Sequence, residues 1–174
     1  MKIVCVIPAR GGSKGILNKN LKLVGGIPLV ARSILASKNC DLIQETYVSS
    51  DSDKILDVSN MYGAKKTKRP SDISEDLSST DEVLLHFIKE HNLHEDKNSI
   101  LVFLQCTSPF TTSQDVKKVV QTLINYPDID CAFSANEDHS FLWSIDKNDS
   151  GIGINHEAYN CLLYTSDAAD DANC

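Results

Sequence analysis

Several features that define other protein classes are missing from this sequence. No apolar run approaches the ~18 residues that a membrane-spanning helix needs. The six cysteines, at positions 5, 40, 106, 131, 161 and 174, form no CxxC pair and show no metal-ligand spacing with histidine. A zinc site and a disulfide scaffold are therefore not predicted. Buried, reduced thiols in a cytoplasmic protein are expected instead.

Acidic residues are absent from the first forty positions, which hold seven Lys or Arg. The remainder of the chain carries ten basic and 24 acidic residues, so the net charge is −7. Such a chain lacks the broad basic face that nucleic acids require, and neither nucleic acid nor membrane is an expected partner. A small basic island suits a small polyanion such as a nucleoside triphosphate. The alternative is a chance clustering of cations on a solvated face.

Predicted strands and helices alternate along the chain. Apolar runs predict strands at 2–8, 45–49, 100–104 and 131–135. Helical spacing predicts helices at 27–37 and 114–126. Two further helices are predicted, one after Asp53 that stops at Gly63 and one that follows a capping box at 79–82. Alternation of this kind predicts an α/β fold of three layers around a mostly parallel sheet. Ligands of such sheets bind at the carboxyl ends of the strands, so the loops after Ile7, Val48 and Leu104 are the expected site.

The strongest local signal is the run Ile-Pro-Ala-Arg-Gly-Gly-Ser-Lys-Gly-Ile at 7–16, followed by Lys19 and Asn20. The glycines at 11, 12 and 15 are expected to permit backbone angles closed to other residues and to let main-chain N–H groups approach phosphate. Arg10, Lys14 and Lys19 add three cations, which make strong hydrogen bonds to phosphate. The run is neither a Walker A loop, since Gly-Lys-Ser/Thr is absent, nor a dinucleotide fingerprint, since the glycine spacing differs.

This run resembles the N-terminal signature of the N-acylneuraminate cytidylyltransferases, also called CMP-sialic acid synthetases. Three further stretches resemble that family's motifs in the same order: Val-Ser-Ser-Asp at 48–51, Arg69-Pro70 followed by Asp76 and Ser79, and Leu-Gln-Cys-Thr-Ser-Pro at 104–109. Together they cover residues 1 to about 145. The resemblance implies a nucleotide-diphospho-sugar transferase-like (Rossmann-like) fold, truncated at its C-terminus.

The resemblance also implies a reaction. CTP and a nine-carbon 2-keto acid sugar would give the CMP-sugar and diphosphate, with Mg²⁺ as cofactor. Carried over by motif, the catalytic residues would be Arg10, Lys19 and Gln105, with Gln105 facing the sugar. The nucleotide-binding residues would be Ala9, Arg10, Gly11, Gly12, Ser13, Lys14, Lys19, Asn20, Arg69, Ser79 and Thr80. No residue of this chain is assigned as a metal ligand.

Some of these positions have a simpler interpretation. Ser79 is explained equally well as a helix cap. Arg69 could form an ordinary surface ion pair, and Gln105 could only satisfy a neighbouring loop. Asp51 is interpreted as favouring the dipole of the following helix, in preference to a metal ligand.

The domain is predicted to span residues 1–160 and to be incomplete. Residues 161–174 contain no Lys or Arg and resemble translated adapter DNA, so they are interpreted as a non-native tail. The family's Arg-Arg-Gln-Asp segment, its later Mg²⁺-holding aspartates and its dimer-forming region are not found after Asn160. This chain is therefore predicted to turn over poorly, and a homodimer is expected only for an intact protein.

Two alternatives remain open at this stage. One is a catalytically silent CTP-binding module built on the same domain. The other is a synthetase for another nonulosonic acid, such as pseudaminic or legionaminic acid. Thr111 stands where many family members have Arg, which weakens any inference about the acceptor sugar. An enzyme for the eight-carbon sugar KDO is disfavoured, because that family's loop lacks Gly-Gly-Ser-Lys-Gly.

Overall fold

The computed structural model describes residues 1–13, 15–74, 79–96, 98–135 and 142–155. Within them the chain forms, in order, β1 (Lys2–Pro8), β2 (Leu23–Val24), β3 (Ile27–Pro28), α1 (Leu29–Lys38), β4 (Glu45–Ser50), α2 (Asp53–Met61), β5 (Lys65–Lys68), α3 (Thr80–Glu90), β6 (Ser99–Phe103), α4 (Ser113–Asn125), β7 (Trp143–Ile145) and β8 (Gly151–Gly153). Two short 3₁₀ turns, Lys19–Leu21 and Leu93–Glu95, complete the set. The chain divides into two compact units, Met1–Ser134 and Ala135–Cys174.

The first unit is built on a four-stranded sheet in the order β5-β4-β1-β6, and all three pairings are parallel. The central strand β1 alternates between two cores, because successive side chains of a strand point to opposite faces. Cys5 and Ile7 pack with α1 and α2, and Ile3 packs with α4. Val4 and Val6 pack against Phe87 of α3. Helices therefore cover both faces, and the predicted α/β fold with a parallel sheet is confirmed.

One predicted helix begins two residues later than expected, and one predicted strand is wrong. Residues 27–37 were expected to be one helix, but Ile27 and Pro28 form β3, which pairs antiparallel with β2, and the helix begins at Leu29. The tight turn between β2 and β3 uses Gly25 and Gly26 with φ of 60° and 78°, the left-handed region that glycine enters without steric cost. Residues 131–135 were expected to be a strand and form none.

In the second unit the described residues form a single antiparallel hairpin of β7 and β8. The turn is closed by Asp146, whose Oδ1 accepts hydrogen bonds from the backbone N–H groups of Asn148 and Ser150, each at 2.8 Å. The predicted tail at 161–174 lies outside the described residues. No helix in the described part of the chain combines the length and the apolar character needed to cross a membrane.

Candidate active site

A cleft of about 240 Å³ opens at the carboxyl ends of β1 and β6, where the fold predicts a ligand. Its wall includes eight of the residues that the sequence assigned to the site. These are Arg10, Ser13, Lys19, Asn20, Arg69, Ser79, Thr80 and Gln105. Three of the eight are cationic, and no acidic residue of the described ranges lines the cleft. The cleft is therefore suited to a polyanion.

The loop after β1 is held in place by Asn20. The Asn20 side chain is 5% exposed, and its Nδ2 donates to the Arg10 carbonyl at 2.9 Å. Asn20 belongs to the 3₁₀ turn that also carries Lys19. The same turn thus fixes the backbone of Arg10 and places the Lys19 side chain on the cleft wall. Asn20 therefore holds the loop as well as lining the cleft, and its assignment as a nucleotide ligand stays a prediction.

Arg69 is buried, with 5% of its surface exposed. Its Nε and Nη2 atoms have no hydrogen-bond partner among the described residues, where Asp51 forms an ion pair with it, with 3.8 Å between Nη2 and Oδ1. Burial lowers the pKa of Arg69, the charge of Asp51 opposes that shift, and the nearby Arg10 adds to it. A buried guanidinium with unsatisfied donors costs free energy unless an anion completes it. The surface ion pair considered for Arg69 is excluded by its burial.

The amino terminus of α3 also contributes to the cleft wall. Ser79 caps this helix, because its Oγ accepts from the Glu82 N–H at 3.2 Å while a Glu82 carboxylate oxygen accepts from the Ser79 N–H at 2.9 Å. Ser79 and Thr80 also line the cleft. The positive end of the helix dipole therefore points toward the same volume as the three cations. Ser79 therefore caps the helix and lines the cleft at the same time.

Residues that follow β6 form the third side. Gln105 lies two residues past the strand, its side chain is exposed, and its Oε1 accepts a long 3.4 Å hydrogen bond from Thr107 Oγ1. Cys106 is buried beside it, and burial raises the pKa of its thiol to about 12. This thiol stays protonated near neutral pH, so it does not serve as a nucleophile.

Three predicted nucleotide-binding residues do not line the cleft. Ala9 is buried, and its N–H donates to the Ser49 carbonyl at 2.9 Å. The N–H of Gly11 donates to Asp51 Oδ1 at 2.9 Å, and Gly12 is exposed away from the wall. Lys14 lies outside the described residues.

One of the two reasons expected for the glycines, backbone angles closed to other residues, is wrong. Among the glycines of the described residues, positive φ occurs at Gly25, Gly26 and Gly63, and at none in this loop. Gly11 is needed for close approach instead, since a Cβ there would meet Ser52 Cβ at 3.0 Å.

Five further residues line the cleft without having been predicted. They are Pro8, Val83, Phe103, Cys106 and Thr107. Pro8 and Phe103 end the strands β1 and β6, so their placement follows from the rule about strand ends. Val83 lies one turn into α3 and gives the wall an apolar part.

The described residues contain no group of three or more His, Cys, Asp or Glu that could hold a metal ion. These residues do not fit a Mg²⁺ site, and no catalytic step is derived through one. Asp51, considered as a helix residue or a metal ligand, precedes the helix cap Ser52 and is engaged by Gly11 and Arg69.

Comparison with known proteins places this geometry in context. A family model described as cytidylyltransferase matches residues 4–161. N-acylneuraminate cytidylyltransferase A of Danio rerio is 33% identical over 141 residues, which are 81% of this chain and 32% of the relative. CMP-N,N'-diacetyllegionaminic acid synthase of Legionella pneumophila is 34% identical over 122 residues, 70% of this chain and 53% of the relative. The chain thus spans about a third to a half of the length of these curated relatives.

Two solved structures share the fold. A CMP:2-keto-3-deoxy-manno-octonic acid synthetase complexed with CTP aligns with a TM-score of 0.63 at 23% identity, covering 74% of this chain and 50% of that one. A 4-diphosphocytidyl-2C-methyl-D-erythritol synthase aligns with a TM-score of 0.66 at 11% identity, covering 90% and 69%. At these identities the likeness concerns the fold, which is that of nucleotidyltransferase-like cytidylyltransferases.

Proposed function

This chain belongs to the cytidylyltransferase family, and from that premise we propose that the intact protein transfers CMP from CTP to an acidic sugar of the sialic-acid type. The observation that carries the proposal is the cleft, where Arg10, Lys19 and the buried Arg69 converge without a lining carboxylate among the described residues. Three cations facing one small volume match the charge of a triphosphate.

In the proposed reaction the anomeric hydroxyl oxygen of the sugar attacks the α-phosphorus of CTP in line. A new P–O bond forms, the bond from the α-phosphorus to the bridging oxygen of the β-phosphate breaks, diphosphate leaves, and the hydroxyl proton is released to solvent. Most of the catalysis in such a transfer comes from positioning and from neutralising phosphate charge. Arg10 and Lys19 would hold the phosphates, and Gln105 would orient the sugar.

The nucleotide end of the site is assigned to Arg69, Ser79 and Thr80. The unsatisfied donors of Arg69 and the amino terminus of α3 offer hydrogen bonds and positive potential to an electronegative group. Val83 and Phe103 add apolar surface, which a nucleobase can cover with its ring.

The sugar is proposed as a class. Relatives named for N-acylneuraminate and for N,N'-diacetyllegionaminic acid match this chain with similar identity, so both belong to the expected acceptors. We further propose that Mg²⁺ is held by carboxylates of the intact protein outside this chain, and that the intact protein is a homodimer. A cytoplasmic location is proposed because CTP is the substrate and because Cys5, Cys40 and Cys106 are free, buried thiols.

The phosphate site is tested by titrating CTP into the protein and into Arg10→Ala. Loss of a charge-assisted contact predicts a Kd higher by about tenfold to a hundredfold, with the fold retained. Lys22→Ala is the matched control, because it removes a cation of the same basic segment from an exposed side chain that does not line the cleft. Equal CTP affinity in wild type and Arg10→Ala would remove the phosphate-site assignment.

A catalytically silent CTP-binding module is the second candidate. The described residues suffice for it, because it needs the cleft and its cations but no carboxylate cluster. It predicts CTP binding without sugar-dependent release of diphosphate, even in the intact protein, whereas the transferase predicts both.

A further inference from the structure

Asp51 lies between two segments that each carry a cation of the cleft, called its arms here: the loop after β1 and the segment after β5. It directly follows β4, which pairs with β1 on one side and β5 on the other, with Pro8 opposite Ser49 and Ser50 opposite Lys68. The loop after β1 and the segment after β5 therefore emerge on either side of it. One arm carries Arg10, and the other carries Arg69.

Its carboxylate contacts both arms through one oxygen. Oδ1 accepts the Gly11 N–H at 2.9 Å and lies 3.8 Å from Arg69 Nη2. The first distance is a hydrogen bond, and the second is a charge contact too long for one. Asp51 therefore compensates the charge of Arg69, while Nε and Nη2 of Arg69 still lack a hydrogen-bond acceptor among the described residues.

Gly11 lies close to both Asp51 and Ser52. A Cβ at position 11 would meet Ser52 Cβ at 3.0 Å and Asp51 Oδ2 at 3.5 Å, so the loop lies directly against the side chains of Asp51 and Ser52. The Asp51 side chain is 31% exposed and does not line the cleft, so it is not placed to meet a ligand.

We infer that Asp51 is a positioning residue, which holds the phosphate loop through Gly11 and keeps the Arg69 guanidinium oriented and ready for the nucleotide. The inference rests on the proposed function. Asp51 acts by contacts with the two arms, one through a hydrogen bond and one through charge, and the two contacts can be removed separately.

The experiment compares CTP binding to Asp51→Asn and Asp51→Ala in the wild-type background and in an Arg69→Met background. Asparagine retains an Oδ1 acceptor for Gly11 and loses the charge that Arg69 needs. Asp51→Asn is expected to raise the Kd for CTP about tenfold in the wild-type background and less than about twofold in the Arg69→Met background. Asp51→Ala loses both contacts and is expected to weaken binding further, in both backgrounds.

Asp53→Asn is the matched control. It makes the same chemical change two residues away, at an exposed side chain that pairs with Lys68, and should leave the Kd unchanged. Thermal unfolding of each variant without CTP separates folding from positioning, and Asp51→Asn keeps the test valid if Asp51→Ala does not fold. The inference would be overturned if Asp51→Asn lowered the Tm but left the Kd for CTP unchanged. It would also be overturned if Asp51→Asn raised the Kd by the same factor in both backgrounds. Failure of the wild type to bind CTP would instead contradict the proposed function.

Discussion

At the scale of single residues, Arg69 is expected to have opposite effects on folding and on the proposed binding of an anion. Its guanidinium is buried with two nitrogens unsatisfied among the described residues and with Asp51 at a distance longer than a hydrogen bond. Such an arrangement costs folding free energy. Under the proposed function, a bound anion would offset that cost. Stability and binding should therefore respond in opposite directions when the charge is removed.

Arg69→Met tests this opposition. We expect the Kd for CTP to rise by about tenfold to a hundredfold, because a charge-assisted contact is lost. We expect the Tm to stay the same or to rise, because a buried charge is replaced by an apolar side chain of similar length. Calorimetric titration and thermal unfolding measure the two quantities.

Lys66→Met provides the control for Arg69→Met. Lys66 is an exposed neighbour that pairs with Asp57 at 2.6 Å. Lys66→Met should bind CTP as the wild type does. Its free energy of unfolding should fall by no more than a few tenths of a kcal/mol, as is usual when an exposed ion pair is lost. A strongly destabilised Arg69→Met, with CTP affinity intact, would contradict the role assigned to Arg69.

Residue types and motif order were enough to predict much of the cleft. Arg10, Lys19 and Gln105 could be named from the sequence because each follows a recognisable strand or turn. The burial of Arg69 could not, because it depends on neighbours that are distant in sequence. The contacts of Asp51 with Gly11 and Arg69 could not be predicted for the same reason, since these residues meet only through strand pairing.

At the scale of elements, α3 serves both the core and the cleft. Its amino terminus carries the cap Ser79 on the cleft wall, while Val83 and Phe87 are buried. A substitution at the cap can therefore be chosen to keep the helix and change only the electrostatics of the cleft.

Ser79→Asp is that substitution. Aspartate caps helices about as well as serine, so the Tm should change little. A negative charge on the cleft wall should weaken CTP binding by roughly tenfold or more, since like charges at close range repel.

Thr112→Asp is the control for the cap. Thr112 caps α4 with the same hydrogen-bond pattern and does not line the cleft. Its aspartate variant should leave the CTP affinity unchanged. Equal CTP affinity in Ser79→Asp and wild type would show that α3 does not face the nucleotide.

The carboxyl end of α3 is fixed by an aromatic contact. The His91 ring lies 4.4 Å from the Tyr47 ring and 4.5 Å from that of Phe87, measured between centroids. Its Nε2 lies 2.9 Å from Thr67 Oγ1. Burial lowers the pKa of His91, against the opposing charges of Glu90 and Glu45.

A pH dependence follows from that lowered pKa. Below the ordinary histidine value of about 6.5 the unfolded chain takes up a proton that the folded chain resists. Stability from His91 is thus present above pH ~6.5 and is lost as pH falls through the lowered pKa. We expect His91→Gln to lose less unfolding free energy between pH 7.5 and pH 5 than wild type does, measured by urea denaturation.

His94→Gln is the control for this dependence, because His94 is exposed in the following 3₁₀ turn. It should lose as much unfolding free energy as wild type over the same pH interval. A pH dependence unaltered by His91→Gln would mean that His91 does not carry it.

The elements that could be predicted are those with a strong hydrophobic period. Strand β1 and helix α4 fall within a residue of their expected bounds, and helices α2 and α3 lie where the stop at Gly63 and the capping box at 79–82 predict them. Strand β5, Lys-Lys-Thr-Lys, went unpredicted because an edge strand needs few apolar side chains and lysine is common there. Residues 131–135 have the composition of a strand, but a strand exists only where a neighbour pairs with it, and composition does not supply the neighbour.

At the scale of the whole molecule, the cleft differs in charge from the chain that forms it. The chain has a net charge of −7, whereas the cleft is lined by three cations and, among the described residues, by no acidic side chain. Residues 4–161 match the cytidylyltransferase family, and the four-stranded sheet is parallel. Both findings agree with the order of motifs along the sequence. The catalytic outcome depends on the intact protein, because the chain spans only part of the length of its relatives.

The most direct test is the release of diphosphate by the intact gene product. The protein would be given CTP together with N-acylneuraminate, N,N'-diacetyllegionaminate or no sugar, and diphosphate and CMP-sugar would be measured. The account predicts that both products appear in equal amounts, only when CTP and one of the acidic sugars are present, and that Arg10→Ala reduces their formation. Binding of CTP without diphosphate release from any nonulosonic acid would contradict it and would identify the cleft as a nucleotide-binding module.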